Sequence, residues 1–337
     1  PATRNPFRVT LEVLHAMRHR TAFALLLSVA FSCLGPLAAS LAAGADQTSS
    51  AAAKKKIVFL PGRQSHGWSA HAYPAECKLL ADILNKNVPG AEAVVVEGGW
   101  PKDLSVLDGA AAIVIACDGN GVLGSEENYK ALDALAKAGV GIAYIHYALD
   151  PGTRWGKYLL DWLGGYYEQH WSVNPSWKAE FKQLPDHPIT RGVRPFAIHD
   201  EWYYHMRFRE NMQGVTPILS AVPPERTRQG RDGPHSGNPT VRSRVGMAEH
   251  VAWAYERPDG GRGFGFTGGH DHWNYAHDGF RQILLNAVCW VAKIDVPPQG
   301  VPSPRPTAAE MEANLGGNRP ADWTSEQTQK IIGEMNK

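Results

Sequence analysis

The chain has 337 residues, 43% of them hydrophobic and 20% charged, with 34 basic against 33 acidic side chains. That length suffices for one large α/β domain with a leader and a tail, and so even a charge balance argues against a nucleic-acid surface. Four cysteines without a Cys-x-x-Cys pair exclude a disulfide framework and a thiolate zinc site. Cys77, Cys117 and Cys289 lie in or beside apolar stretches and read as small buried hydrophobes.

The first 45 residues read as a leader, with Met17 as the start. Arg18-His19-Arg20 precedes an apolar run from Ala22 to Leu34, and small residues continue to Ala43-Gly44-Ala45. A positive segment, an apolar segment and a small-residue cleavage site are the marks of a signal peptide. The run falls short of the roughly 20 apolar residues a spanning helix needs, and Gly35-Pro36 breaks it. The expectation is a secreted or periplasmic protein with no stable membrane insertion once the leader is gone. Losing four arginines and one glutamate would leave 30 basic against 32 acidic side chains.

A polar linker, 46–56, leads to the domain at 57–296. Ile57–Leu60 is a strand, about 74–86 a helix with Leu79, Leu80, Ile83 and Leu84 at helical spacing, and Ala93–Glu97 a short strand. Ala110–Ala116 is a buried strand ending in the turn Cys117-Asp118-Gly119-Asn120-Gly121. Glu126–Lys137 is a helix capped by Gly139, and Gly141–Ile145 the next strand. Near-continuous apolar strands alternating with helices predict an α/β fold, a mostly parallel sheet covered on both faces. From about Pro151 to Gly246 the chain is rich in Trp, Tyr, Pro and Gly and reads as long loops, with a helical piece at Leu159–Leu163 and a strand at Thr216–Val222. Val251–Tyr255 and Gly263–Thr267 are strands, and the helix after Asp278 places Phe280, Ile283, Leu284, Ala287, Val288 and Val291 on one face. A proline-rich, then helical tail, 297–337, closes the chain.

The histidines fall where such a sheet delivers its chemistry. Ser65-His66-Gly67, His146-Tyr147 and Gly268-Gly269-His270-Asp271-His272 each follow an apolar strand, and open α/β sheets bind ligands at the carboxyl ends of their strands. His146, on a tight strand-to-helix turn, is placed like the residue of a nucleophile elbow; imidazole there suits a base or metal ligand rather than a covalent nucleophile, the alternative being a histidine bonded to backbone. His270 and His272 share one face if the chain is extended. His71 stays open between a site residue and a solvated loop residue. In His199-Asp200-Glu201-Trp202-Tyr203-Tyr204-His205, a strand would point His199, Glu201, Tyr203 and His205 one way. Carboxylates among aromatics suit acid–base work, unless Asp200 and Glu201 merely pair with Arg207 or Arg209. The basic, glycine-rich stretch from Arg226 to Arg244 reads as a solvated or pocket-rim loop. No Gly-x-x-x-x-Gly-Lys-Ser/Thr pattern occurs, so no nucleotide is expected.

Taken together, Ile57–His71, Tyr144-Ile145-His146, Asp186-His187-Pro188-Ile189, Asp200-Glu201-Trp202-Tyr203 and Gly268-Gly269-His270 with the helix to Val291 resemble the ThuA-like (trehalose-utilisation) family, in the manner of secreted planctomycete-type members. The resemblance implies a flavodoxin-like, class I glutamine amidotransferase-like sheet, with His146 replacing the amidotransferase cysteine. It also implies carbohydrate chemistry through 3-keto sugars and a bound divalent metal. On that basis His66, His146 and His270 hold a metal, zinc fitting imidazole best with manganese or iron also open. Glu201 or His272 removes the C2 proton, Asp200 or Tyr203 assists the leaving group, and the partner is a small carbohydrate. A metal-free hydrolase or isomerase, and a non-catalytic carbohydrate-binding protein, are the alternatives.

Overall fold

The computed structural model describes residues 53–337. The leader and most of the linker, 1–52, lie outside the described residues, and the expectation of secretion lies there with them. Among the described residues no helix is long and apolar enough to cross a membrane.

In chain order the elements are β1 (Lys55–Pro61), α1 (Tyr73–Asn87), β2 (Ala91–Val95), β3 (Ala110–Ala116), α2 (Glu126–Lys137), β4 (Gly141–Ile145), α3 (Gly156–Leu163), β5 (Gly165–Tyr166), β6 (Trp177–Phe181), β7 (Phe196–Asp200), β8 (Arg207–Phe208), β9 (Val215–Ala221), α4 (Pro239–Arg242), β10 (Glu249–Glu256), β11 (Arg262–Phe266), α5 (Asp278–Val291), α6 (Ala308–Glu312) and α7 (Ser325–Met335). Seven strands form one sheet in the order β2-β1-β3-β4-β11-β10-β9. The first five are parallel, and β10 runs antiparallel to both its neighbours. This is the doubly wound order with its switch point between β1 and β3. β9 is an edge strand, which is where a sheet tolerates Pro217.

Alternation along the buried strands divides the core in two. Ile57 and Phe59 of β1, with Ala112 and Val114 of β3, pack beneath α1 and α5. Val58 and Leu60, with Ile113 and Ile115, pack beneath α2 and α3. Strands buried on both faces therefore read as unbroken apolar runs. α2 starts at Ser125, whose hydroxyl accepts the Asn128 N–H, with Glu126 and Glu127 in its first turn. The apolar stripe of α5, including Ile283, Leu284 and Val288, is fully buried, each such side chain contributing about 1.5–3 kcal/mol.

The middle segment holds more regular structure than its composition predicts. β6 and β7 pair as an antiparallel hairpin in which Trp177, Ala179 and Phe181 point inward. The tail, too, is tied to the domain. Gln64 Oε1 accepts from Gly316 N at 2.6 Å, while its Nε2 donates to Trp68 O at 2.7 Å. Trp323 stacks on Trp273, and Trp68 meets Trp323 edge-on. Met311 of α6 is fully buried.

Candidate metal and substrate site

The turns after the parallel strands converge at one end of the sheet. His71 lies in the loop after β1, Asp118 follows β3, His146 follows β4 and His270 follows β11. Glu201 and Tyr203 arrive from the chain just beyond β7. His71 and His146 adopt left-handed backbone, with φ of 45° and 56°. Such a conformation costs a non-glycine residue on the order of 1–3 kcal/mol and clusters at functional sites. At His146 it turns β4 abruptly into a 3-10 turn, His146–Leu149, and swings the imidazole under the sheet's rim.

Four side chains meet there. His71 Nε2 lies 2.9 Å from His270 Nδ1 and 3.1 Å from His146 Nε2. Glu201 Oε2 lies 3.2 Å from His270 Nδ1 and 3.5 Å from His146 Nε2. One donor atom from each of the four falls within 4.8 Å of every other. A tetrahedral ion with nitrogen ligands at about 2.0–2.1 Å needs its ligand atoms roughly 3.3 Å apart, so the spacing fits.

The outer hydrogen bonds set the tautomers. His146 Nδ1 donates to Thr267 O at 2.8 Å, because a carbonyl only accepts. His71 Nδ1 donates to Asp118 Oδ1 at 2.7 Å. Burial by itself would raise the Asp118 pKa, but hydrogen bonds from His71, Ser65 and Tyr73 outweigh it and hold the carboxyl well below the usual range. Both Nε2 atoms are then acceptors: His71 Nε2 accepts from His270 Nδ1 at 2.9 Å and His146 Nε2 from the Tyr203 hydroxyl at 3.3 Å, with the Glu201 carboxylate beside them. Burial lowers the pKa of His71 and, more strongly, of His146, so neither readily takes a proton. Carbonyl and carboxylate partners behind ligating imidazoles are the usual outer shell of a metal site. For His270 burial also opposes charge, but the Glu201 hydrogen bond and the nearby carboxylates prevail and raise its pKa.

Of the residues named from the sequence, His146, His270, Glu201 and Tyr203 come together, the Tyr203 hydroxyl lying 3.3 Å from His146 Nε2. His66 does not join the four donors. It is exposed, its Nδ1 is 2.8 Å from Ser65 Oγ, and its ring packs 4.0 Å from that of His71, with which and Asp118 it forms a second, separate group of possible ligand atoms within 4.8 Å of one another. His272 is a clearer correction: a 3-10 turn, His272–Ala276, starts at this residue and carries its ring away from His270. The ring is buried against Met311 O, 2.7 Å from Nε2, and burial lowers its pKa to about 4. Asp200 is also corrected. Its carboxylate is fully buried, with Oδ2 accepting from Gly269 N at 2.7 Å and Oδ1 from His270 N at 3.1 Å and Glu201 N at 2.8 Å. Burial raises its pKa to about 6 against those amide bonds, but its oxygens are spent on positioning the two donor-bearing loops. Among the described residues Asp200 makes no ion pair with an arginine, and Arg207 is taken up by both oxygens of Glu168 at 2.8 Å.

A cavity of about 180 Å3 opens beside the donors, lined among others by His66, His71, Tyr147, Asn174, Tyr203 and His235. Asn174 and His235 come from the long middle segment, and only tertiary contact reveals them. Asp118 was legible by the same strand-end rule that singled out His146.

A family model described as ThuA, trehalose utilisation, matches residues 60–291. Among solved structures the chain is similar to a putative ThuA-like protein from Bacteroides uniformis ATCC 8492, at 16% identity and a TM-score of 0.51 over 73% of this chain and 94% of that one. It is also similar to a putative ThuA-like protein from Parabacteroides merdae ATCC 43184, at 17% identity and a TM-score of 0.48 over 72% and 92%. No curated protein matches. At these identities the first structural likeness speaks for the fold.

Proposed function

The chain belongs to the ThuA (trehalose utilisation) family, and from that premise we propose that it is a carbohydrate-active enzyme cleaving oxidised, 3-keto glycosides or disaccharides, with a divalent ion held by His71, His146, Glu201 and His270. The observation that carries this reading is the convergence of one ligand-type atom from each of the four residues within 4.8 Å of every other, with the two Nε2 atoms 3.1 Å apart. Those atoms are of the type and spacing that a divalent ion takes as ligands, and an ion would replace the His270 N–H and Tyr203 O–H that serve them in its absence. Imidazole and carboxylate donors suit zinc best, then manganese or iron.

When bound, such an ion supplies Lewis acidity to a carbonyl oxygen. The remaining work belongs to the chain. Thr267 and Asp118 keep His146 and His71 in the tautomers that present unprotonated Nε2. Burial holds the Tyr203 hydroxyl protonated, its pKa well above the ordinary tyrosine value, so it serves as a hydrogen-bond donor to a substrate oxygen. A ketone at C3 acidifies the C2 hydrogen, loss of that proton expels the C1 substituent, and water addition makes the net result hydrolysis. The leader pattern supports action outside the cytoplasm.

Elemental analysis of the purified protein, paired with turnover of a 3-keto-glucoside before and after chelation, tests the reading. The expected result is about one divalent ion per chain, lost in His146→Ala, and turnover that chelation removes and the ion restores. Full turnover by the chelated protein would establish the metal-free alternative. Sugar binding with no turnover of any keto-glycoside would establish a binding protein.

A further inference from the structure

With Glu201 among the converging donors and His272 turned into the interior, neither residue expected to accept the C2 proton is free to do so. We propose that His235 is the catalytic base, taking the C2 proton of a keto-sugar seated in the cavity; this rests on the keto-glycoside reading above.

His235 sits in a loop that is coil in form but tied at several points. Gly233 N donates to Gly237 O at 3.1 Å, His170 N to Pro234 O at 3.0 Å, Asn174 N to His235 O at 3.2 Å, and Asn238 Nδ2 to Trp171 O at 2.9 Å. The loop is thereby zipped to the 168–174 segment. The imidazole has a carboxylate behind it: Nδ1 lies 3.2 Å from the Tyr167 hydroxyl and 3.7 Å from Asp150 Oδ2. Asp150 is itself buried and held by Gln169 Nε2 and Gly152 N. The Tyr167 hydroxyl is itself directed at Pro234 O at 3.5 Å, so it accepts from Nδ1 and leaves Nε2 as the unprotonated nitrogen, with Asp150 close by but beyond hydrogen-bond reach. Among the described residues Nε2 has no hydrogen-bond partner, and the residue lines the cavity. A space of that volume is roughly 7 Å across if treated as a sphere, below the usual range for drug-sized ligands, so it suits a single sugar ring bounded by His71 and Glu201 of the donor group and by His235. His66 shares the cavity but has only the Ser65 hydroxyl behind Nδ1.

In the step, the C2–H bond breaks and the proton moves to His235 Nε2. The electron pair passes into the C2–C3 bond and onto the C3 oxygen. Its return forms a C1–C2 double bond and breaks the C1–O bond. The imidazolium then delivers its proton to the departing alcohol oxygen, so the proton balance closes with no oxidant or reductant.

The test follows hydrogen–deuterium exchange at C2 of methyl 3-keto-glucoside in D2O by NMR, with turnover and bound metal measured alongside. His235→Ala should keep the wild-type metal content and lose exchange and turnover together by about 10²–10⁴-fold, with partial rescue by added imidazole. Exchange at the wild-type rate in His235→Ala, or loss of its metal, overturns the assignment. So does exchange lost in His66→Ala but retained in His235→Ala. A wild-type protein that neither exchanges nor cleaves any keto-glycoside sinks the underlying reading, and this assignment with it; a wild-type protein that does so while His235→Ala behaves identically sinks the assignment alone.

Discussion

His71 Nε2 and His146 Nε2 face each other at 3.1 Å while each ring's other nitrogen is committed, one to Asp118 and one to Thr267. Neither histidine can turn its N–H inward without abandoning its outer hydrogen bond. For the proposed ion, these two outer hydrogen bonds are what keep both Nε2 atoms unprotonated and usable as ligands.

Asp118→Asn should therefore weaken metal binding while leaving all four donor residues in place. The amide oxygen still accepts from His71, but the negative charge behind the ring is gone. A loss of about 10–100-fold in affinity is expected, measured by competition with a chromophoric chelator. Unchanged affinity would mean that the His71 tautomer is set by something other than Asp118.

Gly269→Ala should damage fold and site together. Gly269 has φ of 111°, and a Cβ there would meet the Tyr275 hydroxyl at 3.2 Å and Ile145 Cγ2 at 3.4 Å. Backbone strain of about 1–3 kcal/mol would fall on the segment whose amides hold Asp200. The expected outcome is a lower urea midpoint and weaker metal binding in the same variant. Retained metal affinity at full stability would contradict it.

Asp200→Ala should act on stability rather than selectively on the chemical step. Removing the carboxylate strands the Gly269 and His270 N–H groups, and unsatisfied buried donors cost about 1–3 kcal/mol each. Calorimetry should show a marked fall in Tm. A variant of native stability that has lost only kcat would restore Asp200 to the chemistry.

The buried histidines make stability sensitive to acid. Burial lowers the pKa of His205 and His277 to about 4, against 6.5 when unfolded. Around His205 stand Glu249, Arg244, Arg207 and Arg228, and around His277 Asp278, Arg281 and Arg305. Between these values the unfolded chain binds more protons than the folded one, so stability rises with pH. Their contribution is complete above about 6.5 and is lost as pH falls through about 4. His277 also caps α5, its Nδ1 accepting from Phe280 N, a task Asn performs as well. The urea midpoint of His277→Asn should fall less steeply than the wild type between pH 6.5 and 4.5; equal slopes would contradict the assignment.

The parallel sheet was legible because β1, β3, β4 and β11 are apolar runs bounded by turns, and burial on both faces leaves no other pattern. His146 was legible for the same reason, as the residue that ends such a run. His71 and His66 were not separable. They lie five apart in one loop, and the side-chain direction of each depends on a positive φ that no local residue announces. His272 was misplaced because an extended continuation was assumed where a 3-10 turn begins. The hairpin of β6 and β7 did carry its signal, since Trp177, Ala179 and Phe181 alternate with charged residues, but the surrounding prolines and aromatics obscured it. Asn174 and His235, sixty-one positions apart, share a wall through backbone and side-chain hydrogen bonds between two coils.

The fastening of Gln64 by Gly316 spans 252 positions, and it closes on the same loop that carries His71. A growing polypeptide can assemble the five parallel strands before that fastening has been synthesised. The segment after β11 already holds this loop, His71 N donating to His270 O at 3.0 Å and His272 N to Ser69 O at 2.8 Å, and the tail adds a second fastening where Trp323 packs against Trp68 and Trp273. The tail therefore acts at a distance on the His71 loop: loosening it at Gly316 or Trp323 would be felt at His71 without any change to the residues that surround the imidazole.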